Sequence, residues 1–382
     1  MSTSIYLDNN ATTRVDEHVV AAILPFLTEQ YGNPSSAHRF GAQLAGPIDT
    51  ARAAVARLLG ARVSEIVFTS GGTESDNAAL RGVLAARPDK KHVVISSVEH
   101  HAIWEPAEHL EHSGYSVTCV PVDREGRLDF AALEASLRAD TALVSVMLAN
   151  NETGVVSPLP EVSRIAKTRN VLVHTDAVNA VGKLPIDVNT LGVDLLSLSA
   201  HKFHGPKGVG ALFVRAGTPF KAFMLGGPQE QERRGGTLNV PGIVGLGAAC
   251  ELAAGLRPGE LERIRNLRDL LEIQLLTRCP GATIIGARAE RLANTSCICF
   301  AGVEAQAIVM LLSESGVYVS SGAACASGAT TPSKVLSAMG IAPQIAAGQI
   351  RFSLSRYTTA AEIDAAVELV PPIIEKAARM RK

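Results

Sequence analysis

Short apolar runs alternate with segments of helical periodicity over roughly 200 residues of this chain. Continuous apolar runs bounded by turn residues are typical of strands that are buried on both faces. They predict strands at residues 65–70, 92–97, 116–122, 141–149, 170–174, 193–199 and 208–214. Helical periodicity predicts helices at residues 17–30, 45–59, 76–84, 130–137, 162–168 and 240–256. The alternation predicts an α/β domain whose mostly parallel sheet is flanked by helices.

The pattern changes beyond residue 257, where Pro258 and Gly259 mark a candidate hinge. Helices there alternate with short strands, and the strands are predicted at residues 295–300, 317–320 and 349–353. This pattern indicates a smaller α+β domain. We predict a large domain at residues 14–257 and a small domain formed by residues 1–13 and 258–382.

Composition narrows the class of protein without identifying it. The chain has 382 residues, of which 47% are hydrophobic and 19% are charged, and its net charge is −1. These values are ordinary for a soluble enzyme with two domains, and they give no support for a nucleic-acid or anionic-membrane partner. No apolar run is long enough to span a bilayer, and the first residues show no secretion signal, so we expect reduced thiols in the cytoplasm. The six cysteines form no CxxC pair, which disfavours a zinc site.

Polar residues follow several of the predicted strands at the points where the strands end. They are Thr73, His100, Asn151, Asp176 and Lys202. In open parallel sheets, ligands bind at the carboxyl ends of the strands. Each residue has an ordinary structural alternative, since Asp is a common helix N-cap and a lone His is more often structural. Their shared placement predicts a single site at this edge of the sheet.

Lys202 lies within residues 195–208, LLSLSAHKFHGPKG, where an apolar strand enters a Gly/Pro-rich turn. Desolvation at such a position lowers the pKa of a lysine, and a neutral amine can form a Schiff base with a carbonyl cofactor. The alternative is a solvated loop lysine. A second turn, GGTES, places Gly71, Gly72 and Thr73 between a strand and a helix, where backbone N–H groups bind anions. The spacing of its glycines fits neither a dinucleotide-binding motif nor a P-loop. The alternative to an anion site is a tight turn that uses glycine only for its backbone conformation.

Together these groups are the set that pyridoxal phosphate requires. Lys202 would form the Schiff base, Asp176 would pair with the pyridine nitrogen, and His100 would stack on the ring. Donors to the phosphate would come from Gly72, Thr73, Ser199 and His201.

Cys325 lies in a loop of small residues, SSGAACASG, at residues 320–328. A structural cysteine usually lies among apolar side chains, as Cys297 and Cys299 do in TSCICF, whereas an accessible loop suits thiolate chemistry. Arg351 opens the strand RFSLSR and could clamp a substrate carboxylate with both ends of its guanidinium group, the alternative being a structural salt bridge. The polar, Gly-rich residues 226–237 predict a surface loop or one that reaches a neighbouring subunit.

These segments closely resemble the cysteine desulfurases, and the NifS-type branch most, within the class V aminotransferase family of fold-type I enzymes that use pyridoxal phosphate. The resemblance covers essentially the whole chain. The most specific motifs are SLSAHKFHGPKG and SSGAACASG. Supporting motifs in the family's order are YLDNNATT, YGNPSS, FTSGGTES, VEH, NNETG, HTDAVNAVGK, RRGGT and RFSLSRYTT.

The resemblance implies a role for each matching residue. Lys202 is the Schiff-base lysine, Asp176 contacts the pyridine nitrogen, and His100 stacks on the ring and serves in acid/base steps. Cys325 is the nucleophile that takes the sulfur from L-cysteine, and the rest of the substrate is released as L-alanine. The protein that then accepts the sulfur from Cys325 is an iron–sulfur scaffold protein. The phosphate is bound by Thr73, Ser199 and His201 and, from the partner of a homodimer, Thr237. The substrate side is formed by Asn151, Arg351 and Asn33.

Two positions depart from the family pattern. The residue near the phenolic oxygen of the cofactor is usually Gln and is here Asn179, one methylene shorter, and Ala323 replaces a serine hydroxyl. Neither change removes a group that the mechanism needs. The alternatives are an aminotransferase, which has no use for Cys325, a selenocysteine lyase, which stays open, and a scaffold that keeps the fold without catalysis. The pathway served also stays open among nitrogenase, general iron–sulfur assembly and tRNA thiolation.

Overall fold

Three β-sheets organise the chain in a computed structural model, which describes residues 4–255, 258–322 and 333–380. In chain order, the strands of these residues are β1 (Ile5–Tyr6), β2 (Ile66–Thr69), β3 (His92–Ser96), β4 (Ser116–Val120), β5 (Thr141–Ser145), β6 (Leu172–Asp176), β7 (Leu195–Ser199), β8 (Gly210–Val214), β9 (Ala282–Ile284), β10 (Thr295–Phe300), β11 (Val317–Tyr318), β12 (Ser320–Ser321) and β13 (Gln349–Ser353).

Helices cover the sheets. Over the same residues they are α1 (Glu17–Thr28), α2 (Arg39–Ala42), α3 (Ala45–Leu59), α4 (Gly72–Ala86), α5 (His101–His112), α6 (Phe130–Ser136), α7 (Leu159–Lys167), α8 (Val188–Leu191), α9 (Val240–Ala254), α10 (Pro258–Arg278), α11 (Ala305–Glu314), α12 (Lys334–Ala338), α13 (Pro343–Ala346) and α14 (Ala360–Met380). No single helix within the described ranges combines the length and apolar character needed to cross a membrane, although the bent pair Val240–Ala254 and Gly259–Arg278 meets that test by length and composition.

The largest sheet has seven strands in the order β2-β8-β7-β6-β5-β3-β4. Its strands run parallel from β7 to β4, and β8 is antiparallel to both of its neighbours. Every residue of β2, β3, β5, β7 and β8 is buried, because helices pack against both faces of the sheet. This burial explains why the strands read as continuous apolar runs rather than alternating ones. The predicted α/β architecture with a mostly parallel sheet is confirmed.

A smaller antiparallel sheet, β12-β13-β10-β9, lies in the second half of the chain. The N-terminus joins this part, because β1 pairs in parallel with β11, and Ile5 and Leu7 lie in the same apolar cluster as residues of α10 and α14. The predicted division into residues 14–257 and residues 1–13 with 258–382 remains a prediction, and this packing is the observation that favours it.

Several boundaries differ from the prediction for local reasons. The strand predicted at residues 141–149 ends at Ser145. The helix predicted at residues 162–168 begins three residues earlier, at Leu159, because Pro160 fits the first turn, where a missing N–H breaks no hydrogen bond of the helix. Strand β9 was not predicted, since its three residues carry no distinctive pattern.

The segment of residues 226–237 contains a buried carboxylate that the sequence does not predict. The side chain of Glu230 is fully buried, and its two oxygens accept hydrogen bonds from the Arg52 guanidinium group at 2.7 Å each. The backbone N–H of Phe68 on β2 also donates to Glu230, at 2.8 Å. The prediction of a surface loop is therefore wrong at this residue, because the paired arginine lies 178 positions away in the sequence.

Candidate active site

An open cleft lies where the parallel strands end, and its empty volume, including solvent at the mouth, is about 1000 Å³. Ten predicted site residues line it, namely Gly72, Thr73, His100, Asn151, Asp176, Asn179, Ser199, His201, Lys202 and Arg351. Asn33 and Thr237 are exposed and do not line the cleft in this single chain. Cys325 and Ala323 lie outside the described residues.

Lys202 follows β7, in a single 3₁₀ turn that spans Ala200–Lys202. Its Nζ donates to the backbone carbonyls of Asn10, at 2.6 Å, and Ala11, at 3.0 Å. The amine is therefore held at the cleft by the N-terminal segment, which is bound in turn to the smaller sheet.

Asp176 ends β6 and is only 5% exposed. Burial raises its pKa to about 6, and this rise is opposed by the backbone N–H of Val178, which donates to Oδ1 at 2.8 Å, and by the charge of Lys202. Behind it lies Asp76, whose pKa is raised well above its usual value by burial and by the Asp176 carboxylate. We infer that Asp176 carries the negative charge of this pair while Asp76 stays protonated.

His100 is the N-cap of α5, and its Nδ1 accepts a hydrogen bond from the backbone N–H of Ala102 at 3.1 Å. Burial, followed by the charges of Lys202 and His101, lowers the pKa of His100 to about 4. The ring is therefore neutral near pH 7, and the bond at Nδ1 fixes its hydrogen on Nε2. In this tautomer the ring can donate a proton but has no unoccupied acceptor.

The N-terminus of α4 forms an anion-binding edge of the cleft. The helix begins at Gly72, and no side chain caps its first N–H groups within the described residues. Gly72 has to be small, because a Cβ there would lie 2.5 Å from Cγ2 of Val178. Ser199 and His201 line the same cleft, and burial and the charge of Lys202 lower the pKa of His201 to about 4. This edge offers neutral donors together with the positive end of the helix dipole.

Arg351 lies on β13 and is 4% exposed. One Nη donates to Asp8 Oδ1 at 2.7 Å, and the other donates to the Asn151 carbonyl at 3.1 Å. Its Nε has no hydrogen-bond partner among the residues that the structure describes. The guanidinium group is thus held rigidly at the cleft with donor capacity left for an anion.

Sequence reasoning missed three residues that support the site, Asn10, Asp76 and Lys183. Asn10 lines the cleft and is 1% exposed, although an asparagine in a polar turn is more often a surface residue. Lys183 donates to Asn179 and Asn10, and nothing in its local sequence separates it from a solvated lysine. Asp76 lies one turn into α4, where it reads as an ordinary first-turn acid.

The cleft fits pyridoxal phosphate on its own geometry. Its lining combines an uncapped helix N-terminus with a buried aspartate, a lysine amine and a neutral histidine. Two buried polar atoms of the lining, Asp76 Oδ1 and Asn179 Nδ2, have no hydrogen-bond partner among the described residues. A ligand with a phosphate, a ring nitrogen and ring oxygen substituents complements this set of donors and acceptors.

None of the described cysteines lines the cleft. Burial raises the pKa of the Cys119, Cys250 and Cys279 thiols. The hydrogen bond with Cys299 and burial raise that of Cys297. A raised pKa disfavours the thiolate, so these residues are poor nucleophiles.

Known proteins match this chain over nearly all of its length. The family described as aminotransferase class-V matches residues 5–366. The chain is 51% identical to cysteine desulfurase 2 of Trichormus variabilis, covering 97% of this chain and 93% of that protein, and 49% identical to cysteine desulfurase NifS of Azotobacter vinelandii, covering 97% and 92%. A solved NifS-like protein superposes with a TM-score of 0.92 at 40% identity, covering 98% of this chain and all of that one.

Proposed function

Because the chain belongs to the aminotransferase class-V family, we propose that it is a cysteine desulfurase that uses pyridoxal phosphate and converts L-cysteine to L-alanine. The observation that carries the proposal is the convergence of Lys202, Asp176 and His100 on one cleft with an uncapped helix N-terminus. Similarity to proteins named cysteine desulfurase selects the reaction among those that this cofactor supports.

The cofactor would be held at three points. Gly72, Thr73, Ser199 and His201 would bind its phosphate, Asp176 would pair with its ring nitrogen, and Asn179 would face its ring oxygen. When bound, the ring supplies an electron sink for charge that develops at the substrate α-carbon. Asp176 strengthens that sink because a buried carboxylate keeps the ring nitrogen protonated. Thr237, exposed in this chain, would reach the phosphate of the second subunit in a homodimer.

Substrate binding and proton transfer fall to other residues. Arg351 and Asn151 would hold the substrate carboxylate, because the guanidinium group is already fixed by Asp8 and by the Asn151 carbonyl. Lys202 would take the α-proton of the bound substrate. His100 would donate from Nε2, since its Nδ1 is occupied by the backbone of α5.

Cys325 would take the sulfur. In the sequence it lies three residues beyond Gly322, and Gly322 lines the cleft. The thiolate would attack the sulfur of L-cysteine; the bond between sulfur and Cβ breaks, and an S–S bond forms on Cys325. One L-cysteine and one enzyme thiol give one L-alanine and one enzyme persulfide, so atoms and electrons balance without an outside oxidant.

The outer sulfur of the persulfide would then pass from Cys325 to a scaffold protein for iron–sulfur clusters. The reaction needs a reducing compartment such as the cytoplasm, because an oxidised thiol cannot accept sulfur. A homodimer is supported by large apolar side chains that remain exposed along α1 and after it, at Val20, Leu24, Leu27 and Tyr31. A second copy of the chain would cover them.

The test uses purified holoenzyme with L-cysteine and a reductant, and measures alanine and sulfide together. We expect equal amounts of both products. The Cys325→Ala variant should keep the visible absorption of the bound cofactor and release neither product. Cys119→Ala is the matched control, because this exposed cysteine lies on β4 away from the cleft, and it should keep full activity. Full desulfuration by Cys325→Ala would refute the nucleophile assignment, and release of a keto acid would indicate an aminotransferase.

A further inference from the structure

Lys183 joins two buried asparagines beside the cleft. Its Nζ donates to Asn179 Oδ1 at 2.7 Å and to Asn10 Oδ1 at 3.0 Å. Both asparagines line the cleft, whereas Lys183 does not. The lysine therefore acts on the cleft through the residues that it contacts.

The orientation of the Asn10 amide is fixed independently of Lys183. Its Nδ2 donates to the Asn151 carbonyl at 3.1 Å and to Thr295 Oγ1 at 2.9 Å. A backbone carbonyl can only accept, so the nitrogen must face that side. The oxygen of Asn10 consequently faces Lys183, and Asn294 also donates to it, at 3.1 Å. Lys183 is thus held by Asn10 Oδ1, an acceptor whose orientation is fixed by the other hydrogen bonds of the Asn10 amide.

The orientation of the Asn179 amide follows from Lys183. Lys183 has at least two N–H donors in either protonation state, and the two atoms that accept from it are Asn10 Oδ1 and Asn179 Oδ1. The amide NH₂ group then points away from the lysine. Asn179 is 4% exposed, and its Nδ2 is buried with no partner in the described part of the chain. A buried donor without a partner costs free energy, so this group calls for an acceptor from a ligand in the cleft.

We propose that Lys183 is a positioning residue, which holds the Asn179 amide so that its NH₂ group donates to the anionic ring oxygen of the bound cofactor. The inference rests on the proposed function, because it requires pyridoxal phosphate in the cleft. Burial, and then the charges of Lys202 and Arg351, lower the pKa of Lys183 well below its usual value. A neutral amine still has two N–H donors, which match the two amide oxygens.

The test titrates the visible absorption of the holoenzyme against pH. A donor at the ring oxygen stabilises its deprotonated form, so losing that donor makes the bound cofactor easier to protonate. For Lys183→Met we expect the absorption to titrate about one pH unit higher than in the wild type. Asp176, Lys202 and Arg351 face the cofactor unchanged in every variant. Lys207→Met is the control, since it is the same substitution at an exposed lysine that makes no hydrogen bond to either asparagine among the described residues.

A double-mutant cycle separates positioning from a direct effect of charge. If Lys183 acts through Asn179, adding Lys183→Met to Asn179→Ala shifts the titration no further than Asn179→Ala alone. Additive shifts, or an unchanged titration in Lys183→Met, would overturn the proposal. Should Lys183→Met not fold, Lys183→Gln carries the same cycle, because its amide oxygen can accept from Asn179 and so no longer selects the Asn179 oxygen. A wild-type protein that shows no visible band with pyridoxal phosphate would instead refute the proposed function.

Discussion

Replacing Glu99 by glutamine should remove a pH dependence of folding stability that arises beside the active site. Glu99 precedes His100 and is 4% exposed. Its Oε1 accepts from the Ser96 hydroxyl and, at 2.7 Å, from the backbone N–H of Met147, which lines the cleft. Glutamine keeps that acceptor and has the shape of the protonated acid.

The size of the effect follows from the pKa of Glu99. Burial raises it from 4.5 to about 8, against the opposing hydrogen bonds from Ser96 and Met147. Folding therefore favours the neutral form. The stability that this provides is complete below pH 4.5 and is lost as the pH rises to about 8, at about 1.4 kcal/mol per pH unit. Between pH 5 and pH 7 the wild type should lose about 3 kcal/mol relative to Glu99→Gln.

The assay compares urea unfolding of the cofactor-free wild type and Glu99→Gln at both pH values. Infrared spectra at pH 7 should show a protonated carboxyl band in the wild type that is absent from the variant. Glu111→Gln, an exposed change on α5, should leave the pH dependence of the wild type intact. The reasoning fails if the unfolding free energy has the same pH dependence in the wild type and in Glu99→Gln and the two infrared spectra show no difference in the carboxyl band. Glu99 would then be ionised in the folded protein.

Three further substitutions test the site and its support. Gly72→Ala puts a Cβ 2.5 Å from a methyl group of Val178 and should weaken the binding of pyridoxal phosphate about tenfold or more, as measured by a fluorescence titration. Unchanged affinity would refute the assignment of Gly72 to the phosphate site. Glu230→Gln removes the counter-charge of Arg52, whose side chain is 13% exposed, and should lower the unfolding free energy by about 3 kcal/mol. Glu251→Gln, in an exposed pair, should cost at most about 1 kcal/mol, and equal losses in the two variants would contradict this. Arg351→Lys keeps the positive charge but loses the two-pronged guanidinium group that can bind a carboxylate through two hydrogen bonds. It should lower kcat/KM for L-cysteine about 10–100-fold and leave the cofactor absorption unchanged. Unaltered kinetics would show that Arg351 does not bind the substrate.

The sheet and the position of the cleft could be predicted because both depend on local patterns. Strands buried on two faces must be apolar throughout, so β7 appears as LLSLS in the sequence. The polar residues that end such strands meet at one edge whatever the details of packing. Asp176 and Lys202 were found in this way, and the cleft contains both.

Contacts between distant residues could not be predicted. Lys183 reaches Asn10 across 173 positions, and neither residue differs locally from its surface counterparts. Glu230 lies in a Gly-rich polar segment, and only its pairing with Arg52 explains its burial. Sequence patterns report which face of an element is buried, whereas the partner of a buried charge depends on the assembled fold.

The attachment of the N-terminal segment has a consequence for the order in which the protein is completed on the ribosome. Asn10, whose carbonyl holds Lys202, is fixed by a bond from its own backbone N–H to Ser353, 343 positions later. At synthesis rates of about 5–20 residues per second, that partner emerges roughly 20–70 s after Asn10. The large sheet can form on the nascent chain during this interval, but the contact that anchors Lys202 cannot. The Lys202 amine is therefore set in its final position only when synthesis is nearly finished.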